Sequence, residues 1–165
     1  MVPHGFLVIN ASFSDERRRE GLTISYRDNL KVKLVMLQMS PSTFEVLVVK
    51  LVVSCERFLL ANIYWSPGVD IIAFLDELSD MKEFLSMTRS HLILLGDFNC
   101  SGALPSEIDE WLDTWLSCLN LVVVNDDRTR MHGDRSTSKL DFIIKPEQAR
   151  CLLMVNTSPV GFSDH

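Results

Sequence analysis

The decapeptide His91-Leu-Ile-Leu-Leu-Gly-Asp-Phe-Asn-Cys100 decides the fold of this 165-residue chain. Leu92 to Leu95 form an uninterrupted apolar run, short enough for a strand buried on both faces. Gly96 ends the run, and a glycine there permits either a bend or the close approach of a neighbouring backbone. Asp97 and Asn99 follow at alternate positions. In an extended chain these side chains share a face, so a carboxylate and a carboxamide are presented to the same space. Apart from Phe98, all residues of the Gly96–Asn99 segment are also turn formers, so by itself the stretch also reads as a plain turn. The rest of the chain decides between the two.

Hydrophobic residues make up 47% of the sequence, which suits one domain with a real core. Charged residues account for 23%, an ordinary share, and no internal repeat is visible. Apolar runs are far shorter than the roughly 18 residues a membrane span needs. The N-terminus lacks the basic-then-apolar pattern of a secretion signal, so the expected location is intracellular, with no membrane partner. Cys55, Cys100, Cys118 and Cys151 are scattered and form no C-x-x-C pair. Buried, reduced thiols are expected, rather than disulfides or a zinc site. The net charge of −6 argues against a broad basic surface for nucleic acid. It argues less against an enzyme that meets phosphate through a divalent cation, because such a site needs carboxylates.

Upstream of the decapeptide the pattern is that of strands. Residues 5–20 hold the cluster Asp15-Glu-Arg-Arg-Arg-Glu20 and read as a solvated loop. Strands are expected at Gly21–Tyr26, Lys31–Met39, Phe44–Val53 and Arg57–Tyr64, the middle two joined through Ser40-Pro-Ser42 as a hairpin. From Val69 to Arg89 the period changes. Ile71, Phe74, Leu75, Leu78, Met81 and Leu85 form one face of a helix, with Asp70, Asp76 and Glu77 early and Arg89 late, as the helix dipole favours. A second helix is expected after Ser106, with Asp109 completing a capping box and Ile108, Trp111, Leu112, Trp115 and Leu119 facing inward. Strands at Leu121–Val124, Lys139–Ile144 and Cys151–Val155 close the chain. This order predicts an α/β fold, a two-sheet β-sandwich flanked by helices.

Polar groups stand at the ends of these strands: Tyr64, Asp97 with Asn99, Asp141, and the terminal Ser163-Asp-His165. Asp141 is followed directly by Phe142-Ile-Ile144, where a buried carboxylate needs a partner. His165 is the suitable one, since a carboxylate on one imidazole nitrogen fixes the tautomer and leaves the other to face an anion.

In this order, Asn62-Ile-Tyr-Trp-Ser-Pro67, Leu94-Leu-Gly-Asp-Phe-Asn99, Thr129-Arg130, Ser138-Lys-Leu-Asp-Phe-Ile143 and Ser163-Asp-His165 resemble the endonuclease/exonuclease/phosphatase superfamily. Arg19-Glu-Gly-Leu-Thr-Ile-Ser-Tyr-Arg-Asp28 is similar to a stretch of its non-LTR retrotransposon (LINE-type) branch. The resemblance implies a deoxyribonuclease-like four-layer sandwich and magnesium-dependent hydrolysis of DNA phosphodiesters, with manganese as an alternative ion. It implies that Asp97 orients or deprotonates the attacking water and that Asn99 holds the phosphate or that water. Tyr64 and Thr129 would contact phosphate oxygens, Asp141 would orient His165, His165 would stabilise the pentacovalent transition state, and Asp164 would help position the metal. A nuclear location follows for a retrotransposon endonuclease, with DNA as substrate and no obligate protein partner.

Family members begin with a strand carrying an Asn and a second ending in a metal-binding Glu. Both are expected upstream of Met1, since Glu16 and Glu20 do not match that motif, and a closing strand is expected after His165. Residues 1–165 thus read as a single domain incomplete at both ends, missing N-terminal strands, and weak or inactive as it stands. The alternatives are a phosphoinositide or other small-phosphate phosphatase of the same fold, and a degenerate non-enzymatic copy.

Overall fold

The computed structural model of the chain describes residues 3–11, 21–66, 68–99, 107–125, 130–132, 135–138 and 141–149. Twelve elements follow in order: strands β1 (Phe6–Ala11), β2 (Leu22–Arg27), β3 (Lys31–Leu34), β4 (Phe44–Val53) and β5 (Glu56–Trp65), helix α1 (Ile71–Ser86), strand β6 (His91–Asp97), helix α2 (Glu107–Cys118), and strands β7 (Leu121–Val123), β8 (Arg130–His132), β9 (Arg135–Ser138) and β10 (Asp141–Pro146). The main sheet has six strands in the order β3-β4-β5-β6-β10-β7, while β1 with β2 and β8 with β9 form two-stranded sheets. Among the described strands only β5 and β6 run parallel, and α1 is the crossover between them.

The predicted α/β sandwich is thus present. One face of the main sheet carries the core of the domain, where Leu59, Ala61, Ile63 and Trp65 of β5 and Leu92 and Leu94 of β6 meet Phe74, Leu78, Met81 and Leu85 of α1 and Leu112, Trp115 and Leu116 of α2. The helices are joined to each other by a hydrogen bond of 2.7 Å from Trp115 Nε1 to Ser79 Oγ. The opposite face meets the β1–β2 ribbon, marked by a bond of 3.3 Å from Asn62 Nδ2 to the Thr23 carbonyl. Leu92, Ile93 and Leu94 are all buried, as expected of a central strand covered on both sides.

Several expectations are corrected. Phe6–Ala11, read as part of a loop, is a strand that pairs with β2 residue by residue. The strand expected over Lys31–Met39 stops at Leu34, so β3 and β4 pair antiparallel across a connection longer than Ser40-Pro-Ser42. In α2, Trp111 is 46% exposed and Leu116 takes its place in the core. Cys55 and Cys118 are exposed free thiols rather than buried ones. The β8–β9 hairpin was not anticipated. Ser106, Cys100 and the expected Cys151–Val155 strand lie outside the described residues.

The acidic residues of α1 also act differently from the dipole reading. Asp70 caps the helix by accepting from the Ala73 amide, but the first turn itself is free of acids and the last turn of bases. Glu77 instead reaches back to the chain entering β4. Its carboxylate accepts from the backbone amides and hydroxyls of both Ser42 and Thr43, at 2.7–3.1 Å. Burial pushes its pKa up, but these four donors outweigh burial and hold the carboxyl below the ordinary glutamate value. Stability from this clamp is therefore complete above the unfolded-state pKa and is lost as pH falls through the lower folded one. Glu77→Ala should cost about 2 kcal/mol near neutrality. In chemical denaturation, the gap between parent and variant should shrink as the buffer is acidified through the carboxylate range.

Candidate active site

Strand register brings the sequence-predicted acids together. Tyr64 on β5 lies directly opposite Asp97 on β6, and Asp97 directly opposite Asp141 on β10. Residues opposite each other in a sheet project to the same face with Cβ atoms ~5 Å apart. That face is the one Asn62 uses to reach β2, since Asn62 and Tyr64 are two residues apart on one strand. Three side chains spread over the sequence from 64 to 141 thereby become neighbours in one row, at the carboxyl ends of the two parallel strands. Ligand sites commonly form at that end of parallel strands.

Beneath the row lies a belt of aromatic rings. Each polar residue of the row is next in sequence to an aromatic one on the opposite face: Tyr64 to Trp65, Asp97 to Phe98, Asp141 to Phe142. Phe74 of α1 joins them, stacked on Trp65 at 5.0 Å and edge-on to Phe98 at 6.0 Å, and Phe98 meets Phe142 edge-on at 5.6 Å. Packed rings fix the strand ends, and the alternation of the pleat converts that into fixed positions for the polar side chains.

Asn99 joins the site by a route other than strand alternation. Its backbone has φ +47°, so the chain leaves the extended conformation. The Asn99 amide N–H donates to Asp97 Oδ1 at 2.8 Å and its Nδ2 donates to the Trp65 carbonyl at 2.6 Å. The strand reading holds only as far as Asp97, where β6 ends; the turn reading holds beyond it, since an Asx turn rather than strand alternation places Asn99 against the end of β5. Of the other residues singled out by sequence, Thr129, Asp164 and His165 lie outside the described residues.

Asn125 was missed by the sequence reading. It is 4% exposed, donates from Nδ2 to the Asp141 carbonyl at 2.8 Å, and accepts at Oδ1 from the Ile143 amide at 2.7 Å. Strand β7 ends at Val123, and from there this side chain supplies the two bonds a neighbouring strand would have made. The signal was present, since Asn125 follows the apolar run Leu121–Val124 just as Asp97 follows its own run. Asn125→Ala removes both part-buried bonds, the one to the Asp141 carbonyl and the one from the Ile143 amide, on either side of Phe142. A loss of about 2–3 kcal/mol is expected in urea denaturation, whereas a surface change such as Glu110→Ala should fall within ~0.5 kcal/mol of the parent.

An apolar groove of about 360 Å³ opens along the edge of β4, lined by Leu34, Met36, Met39, Phe44 and Leu47 among others. None of Tyr64, Asp97 or Asp141 lines it. The described residues contain no group of three or more His, Cys, Asp or Glu side chains able to hold a metal ion, and no described helix is long and apolar enough to cross a membrane.

No protein-family model matches the chain, and no curated protein is a significant sequence match. Solved structures do match its fold. The endonuclease domain of TRAS1, a telomere-specific non-LTR retrotransposon, superimposes with a TM-score of 0.68 at 19% identity, over 87% of this chain and 66% of that one. An endonuclease/exonuclease/phosphatase family protein from Bacteroides thetaiotaomicron gives 0.59 at 17% identity, over 87% and 60%. D. rerio TDP2 complexed with single-strand DNA product gives 0.56 at 11% identity, over 87% and 63%. The fold is thus that of the endonuclease/exonuclease/phosphatase proteins. The likeness extends to a LINE-type endonuclease domain, and the chain spans about 60–66% of the length of these structures.

Proposed function

We propose that this chain is part of a single DNA-cleaving domain, a metal-dependent phosphodiesterase of the non-LTR retrotransposon endonuclease type. The observation that carries the reading is the row of Tyr64, Asp97 and Asp141 across three adjacent strands. Hydrolysis of a phosphodiester needs a group to direct water and donors aimed at the oxygens that gain charge. In this proposal Asp97 orients or deprotonates the water, and Tyr64 donates to a phosphate oxygen. Asn99, anchored to Trp65, holds the phosphate or the water, and Thr129 adds a further phosphate contact. Asp141 orients His165, which stabilises charge on the pentacovalent transition state. DNA is the proposed partner and the nucleus the proposed site of action.

Magnesium, or manganese in its place, supplies Lewis-acid stabilisation of charge when bound, worth several kcal/mol, and Asp164 is the proposed ligand in this chain. The described donors do not by themselves make a metal site. No residue of these 165 matches the metal-binding Glu of the family they resemble, so they should nick supercoiled plasmid in magnesium barely above background, because each ~1.4 kcal/mol lost is tenfold in rate. A form extended upstream to the length of the matched structures should nick readily. Inactivity of the extended form on DNA, together with hydrolysis of a phosphoinositide, would replace this reading with a phosphatase. Inactivity on both would leave a folded non-enzymatic copy.

A further inference from the structure

The row has a fourth position, on β4. Glu45 lies directly opposite Tyr64, so Glu45, Tyr64, Asp97 and Asp141 stand side by side on four consecutive strands of the main sheet. Glu45 also repeats the pattern of the other three. Its sequence neighbour Phe44 lies opposite Trp65 and packs edge-on to Phe74 at 5.5 Å, so the aromatic belt extends beneath this position as well. The clamp of Glu77 on Ser42 and Thr43 fixes the chain immediately before it.

Glu45 is 2% exposed, with Leu47, Val48 and Val49 buried after it on the same strand. A carboxylate buried among such residues costs stability that an aliphatic side chain of similar volume would not. Hydrophobic packing does not call for a carboxylate here, and the residue directly opposite it is Tyr64. We propose that Glu45 is a positioning residue for Tyr64: its carboxylate holds the phenol in the orientation that presents it to substrate phosphate. This assignment rests on the phosphodiesterase reading for the identity of the substrate, but the contact itself is tested without any hydrolysis.

The sequence has two tyrosines, Tyr26 and Tyr64. In the full chain carrying Tyr26→Phe and ¹³C-labelled tyrosine, one ring signal reports the Tyr64 phenol as pH is raised. Among the described residues, the titratable groups facing that phenol are Glu45 on β4, Asp97 on β6 and, one strand further, Asp141 on β10. The β2 strand packed against this face contributes Tyr26, which the substitution removes. A carboxylate opposite the phenol disfavours the phenolate, so Glu45→Gln should lower the Tyr64 titration midpoint by about one pH unit. The ring signal near neutrality should broaden or split as orientation is lost, and Glu45→Asp should restore part of the shift. Glu45→Leu should lower the midpoint equally while melting no earlier than the parent. An unmoved Tyr64 titration in folded Glu45→Gln overturns the proposal, as does a drop in melting temperature in both Gln and Leu variants with no change at Tyr64. Failure of plasmid cleavage would leave these results unaffected, so the two readings fall separately.

Discussion

Gly96→Ala is expected to destabilise the domain by about 3 kcal/mol or more, and at ordinary temperatures to leave much of it unfolded. Gly96 has φ +135°, a conformation side chains rarely adopt, and a Cβ built there would lie 1.9 Å from the Ile63 carbonyl oxygen and 2.8 Å from the Ile63 carbonyl carbon and nitrogen. These are backbone atoms of β5, held by the parallel ladder in which Ile63 is the register partner of Gly96. No rotamer change relieves such a contact. The alternatives are to break the β5–β6 pairing or to move β6 away, and β6 is pinned on its other edge by Phe142 opposite Gly96. Urea denaturation followed by tryptophan fluorescence measures the effect, since Trp65 lies two residues beyond Ile63 and is buried. A loss below ~1 kcal/mol would mean that the strand can shift without cost, and that the row one residue further on is not held rigid by the aromatic belt.

The glycine shows what the sequence made legible. The apolar run, the glycine and Asp97 announced a central strand that ends in a polar residue, because every part of that signal is local. Helix α1 was readable for the same reason, its buried residues falling at helical spacing, whereas α2 was misjudged at Trp111 and Leu116 because an apolar face fixes its centre better than its edges. Non-local features were not readable. Phe6–Ala11 is a strand through its pairing with β2, and the charged stretch after it dominated the reading. The β4–β5 hairpin turns at Ser54 and Cys55, with φ +47° and +69°, without the Asn-Gly or Asp-Gly that marks such turns. Glu77 looked like a helix-dipole residue because its real partners, Ser42 and Thr43, are 35 and 34 positions away. Motif order named Tyr64, Asp97 and Asp141 together, and register sets the three side by side. Membership of Glu45 depends on register, and register exists only once the strands have paired.

Asp97 and Asp141 are register partners, so in the proposed mechanism their contributions should not be independent. In the extended form of the protein, Asp97→Ala is expected to lower kcat for plasmid nicking by roughly 10²–10⁴-fold, the usual worth of a positioned acid or base. KM should move little, since the water is directed only in the step that follows binding. Asp141→Ala is expected to cost about as much, because in the proposed mechanism it leaves His165 without its orienting partner. If the two acids act as one unit, the double variant should be scarcely worse than the more damaging single one, as groups that serve one transition state lose their value together. Multiplicative losses in the double variant would mean that the acids serve separate steps, and the juxtaposition across β6 and β10 would then be structural. Stability must be tracked alongside, and the expected changes are small. Both acids are only partly buried, and neither substitution removes the bonds from Asn125 to the Asp141 carbonyl and the Ile143 amide. Asp97→Ala does lose the Oδ1 contact with the Asn99 amide, a cost of about 1 kcal/mol that Asp97→Asn should partly spare while remaining as inactive. An Asp97→Asn protein that nicks DNA at the parental rate would remove Asp97 from the chemistry and leave it as the residue that closes the turn.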